Sequence, residues 1–162
     1  MDNFRLHDDI GYPPRPGGGD THDRKTGPRT STYALMSIGE LREQCPELVN
    51  IASLAFEIES TEEQELSLRV WISEGEGVKN LQDKKNKMFV SREFKVRVAE
   101  GSKLIIHLDH ELDHKEQERA QPLFVQGNTV ALIVFPRQKQ KLFKVRAGKL
   151  GESSAIPQKA GR

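Results

Sequence analysis

Apolar and polar residues alternate with a period of two through much of the middle of the chain. Leu66, Leu68, Val70 and Ile72 alternate with Ser67, Arg69, Trp71 and Ser73. Phe94, Val96 and Val98 alternate with Glu93, Lys95, Arg97 and Ala99, and Leu104, Ile106 and Leu108 with Lys103, Ile105 and His107. Successive side chains on a strand point to opposite faces, so this pattern predicts strands with one face buried. Glu100-Gly101-Ser102 reads as a short turn between two of them. Gln126-Gly127-Asn128-Thr129 reads as a two-residue hairpin turn, with glycine where positive φ is needed. The strand that follows, Thr129 to Phe135, is apolar on both faces and belongs at the centre of a sheet. Pro136 ends it, and Lys141 to Arg146 reads as a last strand with Phe143 and Val145 inward.

The pattern differs on either side. Ser37-Ile38-Gly39-Glu40 has the form of a capping box, with apolar residues following at Leu41, Leu48, Val49, Ile51, Ala52 and Ala55. Pro46 divides that stretch, which predicts one helix or two before the sheet. From Met1 to Thr32 the chain is rich in glycine and proline and poor in apolar residues, so it reads as a disordered arm. Within it, Tyr12-Pro13-Pro14-Arg15-Pro16 is a short polyproline-type element of the sort that docks on a protein partner. Two long polar connections, Glu74 to Asn86 and Asp109 to Gln121, interrupt the strands. The expected fold is therefore mainly β: an antiparallel β-sandwich or jelly-roll-like core of about seven or eight strands, with one or two N-terminal helices and disordered termini. Its organisation is an arm over 1–32, a single β-rich domain over 33–147, and a flexible basic tail over 148–162.

Size and composition narrow the class. A chain of 162 residues holds one domain, and a single cysteine excludes an intrachain disulfide framework. The start, with Asp2, Asn3, Asp8 and Asp9, lacks the apolar stretch of a signal peptide. The longest apolar run, Val130 to Phe135, is too short to span a bilayer. These features predict an intracellular protein, cytoplasmic or nuclear. The net charge of +1 hides a segregation. Glu57, Glu59, Glu62, Glu63 and Glu65 form an acidic stretch, whereas beyond Phe135 eight basic residues face one acid, Glu152. Arg137, Lys139, Lys141, Lys144 and Arg146, extended by Lys95 and Arg97 if their strand lies nearby, are the candidate polyanion-binding residues for phosphates or anionic lipid headgroups. Lysines on a strand edge also serve simply to discourage aggregation.

One string has the form of a catalytic motif. His110-Glu111-Leu112-Asp113-His114 is an H-E-x-x-H sequence, the spacing that on a helix places two imidazoles on a zinc ion and a carboxylate beside the metal-bound water. Its H-E-x-D-H form resembles the last motif of the peptide deformylase family. That resemblance, five residues long, implies His110 and His114 as zinc ligands and Glu111 as the general acid/base. The family's glycine-rich segment and its E-G-C-L-S segment, source of the third ligand, have no counterpart here. Asp109, Asp113 and Lys115 crowd the string, and no histidine follows at the spacing of a third ligand. The only distant glutamate available beyond it, Glu152, lies in the tail.

The reading that follows is a non-enzymatic interaction or assembly protein that needs no cofactor, with a zinc-dependent hydrolase as the alternative. Its outline of a compact β core with arms is similar to small viral structural proteins of matrix or capsid type, a likeness of architecture only. The partners expected are further copies of the chain, and nucleic acid, an anionic membrane surface or an acidic protein on the basic side.

Overall fold

The computed structural model describes residues 5–8, 31–75, 87–139 and 141–149. The first strand, β1 (Arg5–Asp8), lies inside the segment whose composition suggests a disordered arm, and it pairs antiparallel with β2 (Thr32–Ser37). Four residues with little periodicity carry no strand signal of their own, so this element depends on the edge that β2 offers. Residues 1–4 and 9–30 of the arm, the Tyr12–Pro16 element included, lie outside the described residues, as does the chain beyond Lys149.

Ser37 then starts α1 (Ile38–Gln44) as its side chain accepts the Glu40 N–H, as the capping pattern predicts. The helix ends at Cys45, before Pro46, and a 3-10 turn at Ile51–Ser53 leads into the sheets. There follow β3 (Leu54–Ser60), β4 (Gln64–Ser73), β5 (Met88–Val90), β6 (Phe94–Val98) and β7 (Lys103–His107). The connection Asp109–Gln121 is helical rather than open loop, holding the single turn α2 (Leu108–Glu111) and α3 (His114–Ala120). β8 (Thr129–Phe135) and β9 (Phe143–Lys149) complete the described chain. Gly127 does take positive φ, at 100°, but its turn leads out of the 3-10 turn Gln121–Leu123 and does not join two strands. No described helix is long and apolar enough to cross a membrane.

The strands form two antiparallel sheets. In the larger, the order is β1-β2-β8-β4, and the far edge of β4 is shared by β5 beside Trp71–Ser73 and β6 beside Gln64–Leu68. In the smaller, β3 lies between β7 and β9. The core sits between the sheets, filled by the inward-facing set of each strand: Leu66, Leu68, Val70 and Ile72 from β4, Phe56 and Ile58 from β3, Phe143 and Val145 from β9. β8, flanked by β2 and β4, is the interior strand that its two apolar faces predict. Its outer residues Ala131 and Ile133 join Tyr33, Leu35 and Trp71 in a second buried cluster on the other face of the larger sheet. Tyr33 and Trp71 meet edge to face there, with ring centroids 6.3 Å apart. Trp71 falls on the polar side of the alternation yet is fully buried.

Candidate functional site

The histidine string is divided by its own fourth residue. α2 carries His110 and Glu111 and closes with the Leu112 N–H on the Leu108 carbonyl. Asp113 is then extended (φ −75°, ψ 177°) and caps α3: its carboxylate accepts the Glu116 N–H at 2.8 Å, while the Glu116 carboxylate accepts the Asp113 N–H at 3.1 Å. Aspartate favours this cap over a helix interior because its short side chain reaches the exposed backbone donors. His110 thus belongs to one helical turn and His114 begins another helix, with the extended Asp113 between them, so the two are not an i, i+4 pair of one helix. The His110 ring lies 5.3 Å from that of His107, and His114 Nε2 lies 3.1 Å from Glu118. Among the described residues no three histidine, cysteine or acidic side chains are placed to hold a metal ion. A shallow groove of about 410 Å³ runs between Val49–Ile51 and the side of α3 that carries His114 and Gln117. Its titratable members, His114 and Glu118, face each other.

The charges segregated in sequence are brought together by strand register. β3, which carries acids, lies between two strands that carry bases. Glu59 stands opposite Lys103 on one side and Lys144 on the other. Glu57 stands opposite Arg146, 3.6 Å from its guanidinium, and is 2% exposed. Opposite charges directly across two strands attract, so Glu57 and Glu59 offset part of the charge of Lys103, Lys144 and Arg146. Across the molecule Arg97 stands opposite Glu65 and binds Glu63 at 2.9 Å.

The proposed polyanion residues therefore divide into three groups. Lys95 and Arg97 alternate with the buried Phe94 and Val98 and point outward from the larger sheet. Lys144 and Arg146 alternate with Phe143, Val145 and Ala147 and point outward from the smaller sheet. These two pairs point outward from different sheets. Arg137, Lys139 and Lys141 are exposed in the β8–β9 connection, at the end of the sandwich.

That connection is held in place by Gln138, a residue with no distinguishing pattern in the sequence around it. Gln138 is 6% exposed. Its backbone N–H donates to Thr32 Oγ1 at 2.7 Å, and the Thr32 hydroxyl donates to the Gln138 carbonyl at 3.2 Å. Its amide group exchanges two bonds with that of Gln64, at 3.0 and 3.1 Å. Beyond it the Leu142 N–H donates to the Lys139 carbonyl at 2.9 Å, and the Leu142 carbonyl accepts the Thr61 N–H at 3.0 Å. Polar residues without periodicity read as mobile loop; the partners that fix this one come from β2 and β4, far away in sequence.

The other end of β9 carries a further ion pair. Lys149 Nζ lies 2.8 Å from Glu47, and this hydrogen bond, together with the lysine's charge, holds the Glu47 carboxyl below the ordinary glutamate range. No protein-family model matches the chain, and no curated protein matches it.

Proposed function

We propose that the protein is a non-enzymatic interaction and assembly protein that meets a polyanion through the end of its sandwich, at Arg137, Lys139 and Lys141. The observation that carries this reading is the buried Gln138, which pins the connection so that its exposed neighbours Arg137 and Lys139 are presented together rather than on a freely moving loop. Preorganisation lowers the ordering cost of binding, which otherwise offsets the gain from surface charges. Lys144 and Arg146 stand opposite acids of β3 and contribute less than their number suggests. Self-association fits the same frame. Among the described strands, β7 and β9 are edges of a three-stranded sheet, and an edge strand offers unpaired backbone groups to a second chain.

The test is a salt titration of binding to nucleic acid and to anionic vesicles, comparing wild type with a Lys139→Gln/Lys141→Gln variant. Wild type binds at low salt and loses affinity steeply as salt rises; the variant binds more weakly with a flatter slope. Gln138→Ala, which leaves every charge in place, weakens binding without changing the slope. Absence of any affinity at low salt removes the polyanion reading, and a molecular mass that rises with concentration then leaves assembly as the function.

A further inference from the structure

We infer that the polyanion is an anionic lipid bilayer, approached by the tip of the β8–β9 connection, with Lys139 and Lys141 at the headgroups and Leu142 entering the interface between them. This rests on the reading of that tip as a polyanion contact. Leu142 is 39% exposed, whereas the next residue, Phe143, is 1% exposed and locked in the core. The other large hydrophobic side chains exposed among the described residues are Val49 and Val125. Val49 follows the segment bearing Glu47, and Val125 follows the buried Phe124. Only Leu142 sits in a run of lysines, with Lys141 before it and Lys144 two residues after. An apolar side chain flanked in sequence by lysines suits a membrane surface, where burial of the apolar group and attraction of the bases to acidic headgroups act at one place.

At the tip of the connection the Leu142 N–H bond to the Lys139 carbonyl and the Thr61 N–H bond to the Leu142 carbonyl hold the backbone at Lys139 and Leu142, so less freedom is lost there on contact. Acidic side chains share this end of the molecule on the β3–β4 turn: Glu63 is bound by Arg97, and Glu62 is exposed. Nucleic acid is the less suited partner. Base stacking needs exposed aromatic rings, and among the described Phe, Tyr and Trp rings Phe135 is half-buried and the others are buried.

The experiment is co-sedimentation of the full chain with phosphatidylcholine vesicles, with and without phosphatidylserine, beside a duplex and a single-stranded DNA of matched charge. Wild type partitions onto the phosphatidylserine vesicles at low salt and not onto pure phosphatidylcholine. Lys139→Gln and Lys141→Gln each reduce that partition about fivefold. Leu142→Ser reduces it about tenfold, with the melting temperature and any DNA binding unchanged, and Leu142→Trp increases it. Equal partition of wild type, Leu142→Ser and Leu142→Trp overturns the bilayer inference. Binding to DNA without binding to vesicles also overturns it while leaving the polyanion reading in place, and binding to neither removes both.

Discussion

Glu116 Oε2 accepts the backbone N–H of Arg92 at 2.8 Å, so a buried carboxylate on α3 holds the break between β5 and β6. The same side chain reaches Arg92 Nε at 3.4 Å and completes the capping box with Asp113. One residue therefore joins the helical crossover to the edge of the larger sheet and sets the start of α3. Ser91 reinforces the break from the other side, its hydroxyl accepting the Val70 N–H at 2.9 Å.

Glu116→Ala is expected to cost about 2–3 kcal/mol, since it leaves the Arg92 and Asp113 N–H groups without their acceptor in a part-buried site. Glu116→Gln keeps an acceptor oxygen but loses the charge-assisted bonds and is expected to cost about 1 kcal/mol. Chemical denaturation with an unchanged slope measures both. A loss below about 0.5 kcal/mol for the alanine variant, the range of ordinary surface positions, means that solvent takes over the carboxylate's role.

Two core substitutions separate what alternation reveals from what it conceals. Leu132→Ala, in the interior strand β8, is expected to cost about 2–5 kcal/mol through lost burial and a residual cavity. Trp71→Ala is expected to cost about 3–5 kcal/mol, although period-two reading places Trp71 on the solvent side of β4. A small loss for Trp71→Ala shows that the outer face of the larger sheet is inessential to the fold.

The contrast shows where the fold was legible. Leu66, Leu68, Val70 and Ile72 alternate because one face of β4 packs on the other sheet, and that signal lies in neighbouring residues. The second buried face takes Tyr33 and Leu35 from β2 and Ala131 and Ile133 from β8 but only Trp71 from β4, so β8 displays it as an apolar run while β4 does not display it as a pattern. β1 was invisible for the same reason, since its stability lies in the edge of β2. At the candidate site the basic residues were visible as composition, but the acids set opposite some of them were not. That Glu59 stands between Lys103 and Lys144 depends on register among β7, β3 and β9, which no local stretch specifies.

The Glu47–Lys149 pair gives a pH dependence with a definite sign. Because the folded-state value of Glu47 is depressed by Lys149, its stabilising contribution is present above the unfolded value and is lost as pH falls through the folded one. NMR titration is expected to show Glu47 ionising below the ordinary glutamate range, and Lys149→Gln is expected to bring it back. The pair is exposed at Glu47, so added salt shrinks the difference between the two proteins. Identical Glu47 titrations in wild type and Lys149→Gln mean that the contact is not kept in solution.

The last prediction concerns the histidine string. Tight zinc binding needs ligands in a set geometry with at least three from the protein. His110 and His114 belong to separate helices because Asp113 caps the second, and His114 is engaged by Glu118. Purified protein, freed of loosely held ions by mild chelation, is therefore expected to carry well under one zinc per chain, unchanged by His110→Ala. Asp113→Ala is expected to destabilise α3 by about 1 kcal/mol, the usual cost of a lost cap, without creating a tight site. A retained stoichiometric zinc that disappears with either His110→Ala or His114→Ala requires α2 and α3 to join as one helix in solution. In that case Glu111 becomes the general base to test, by Glu111→Gln with metal content held constant.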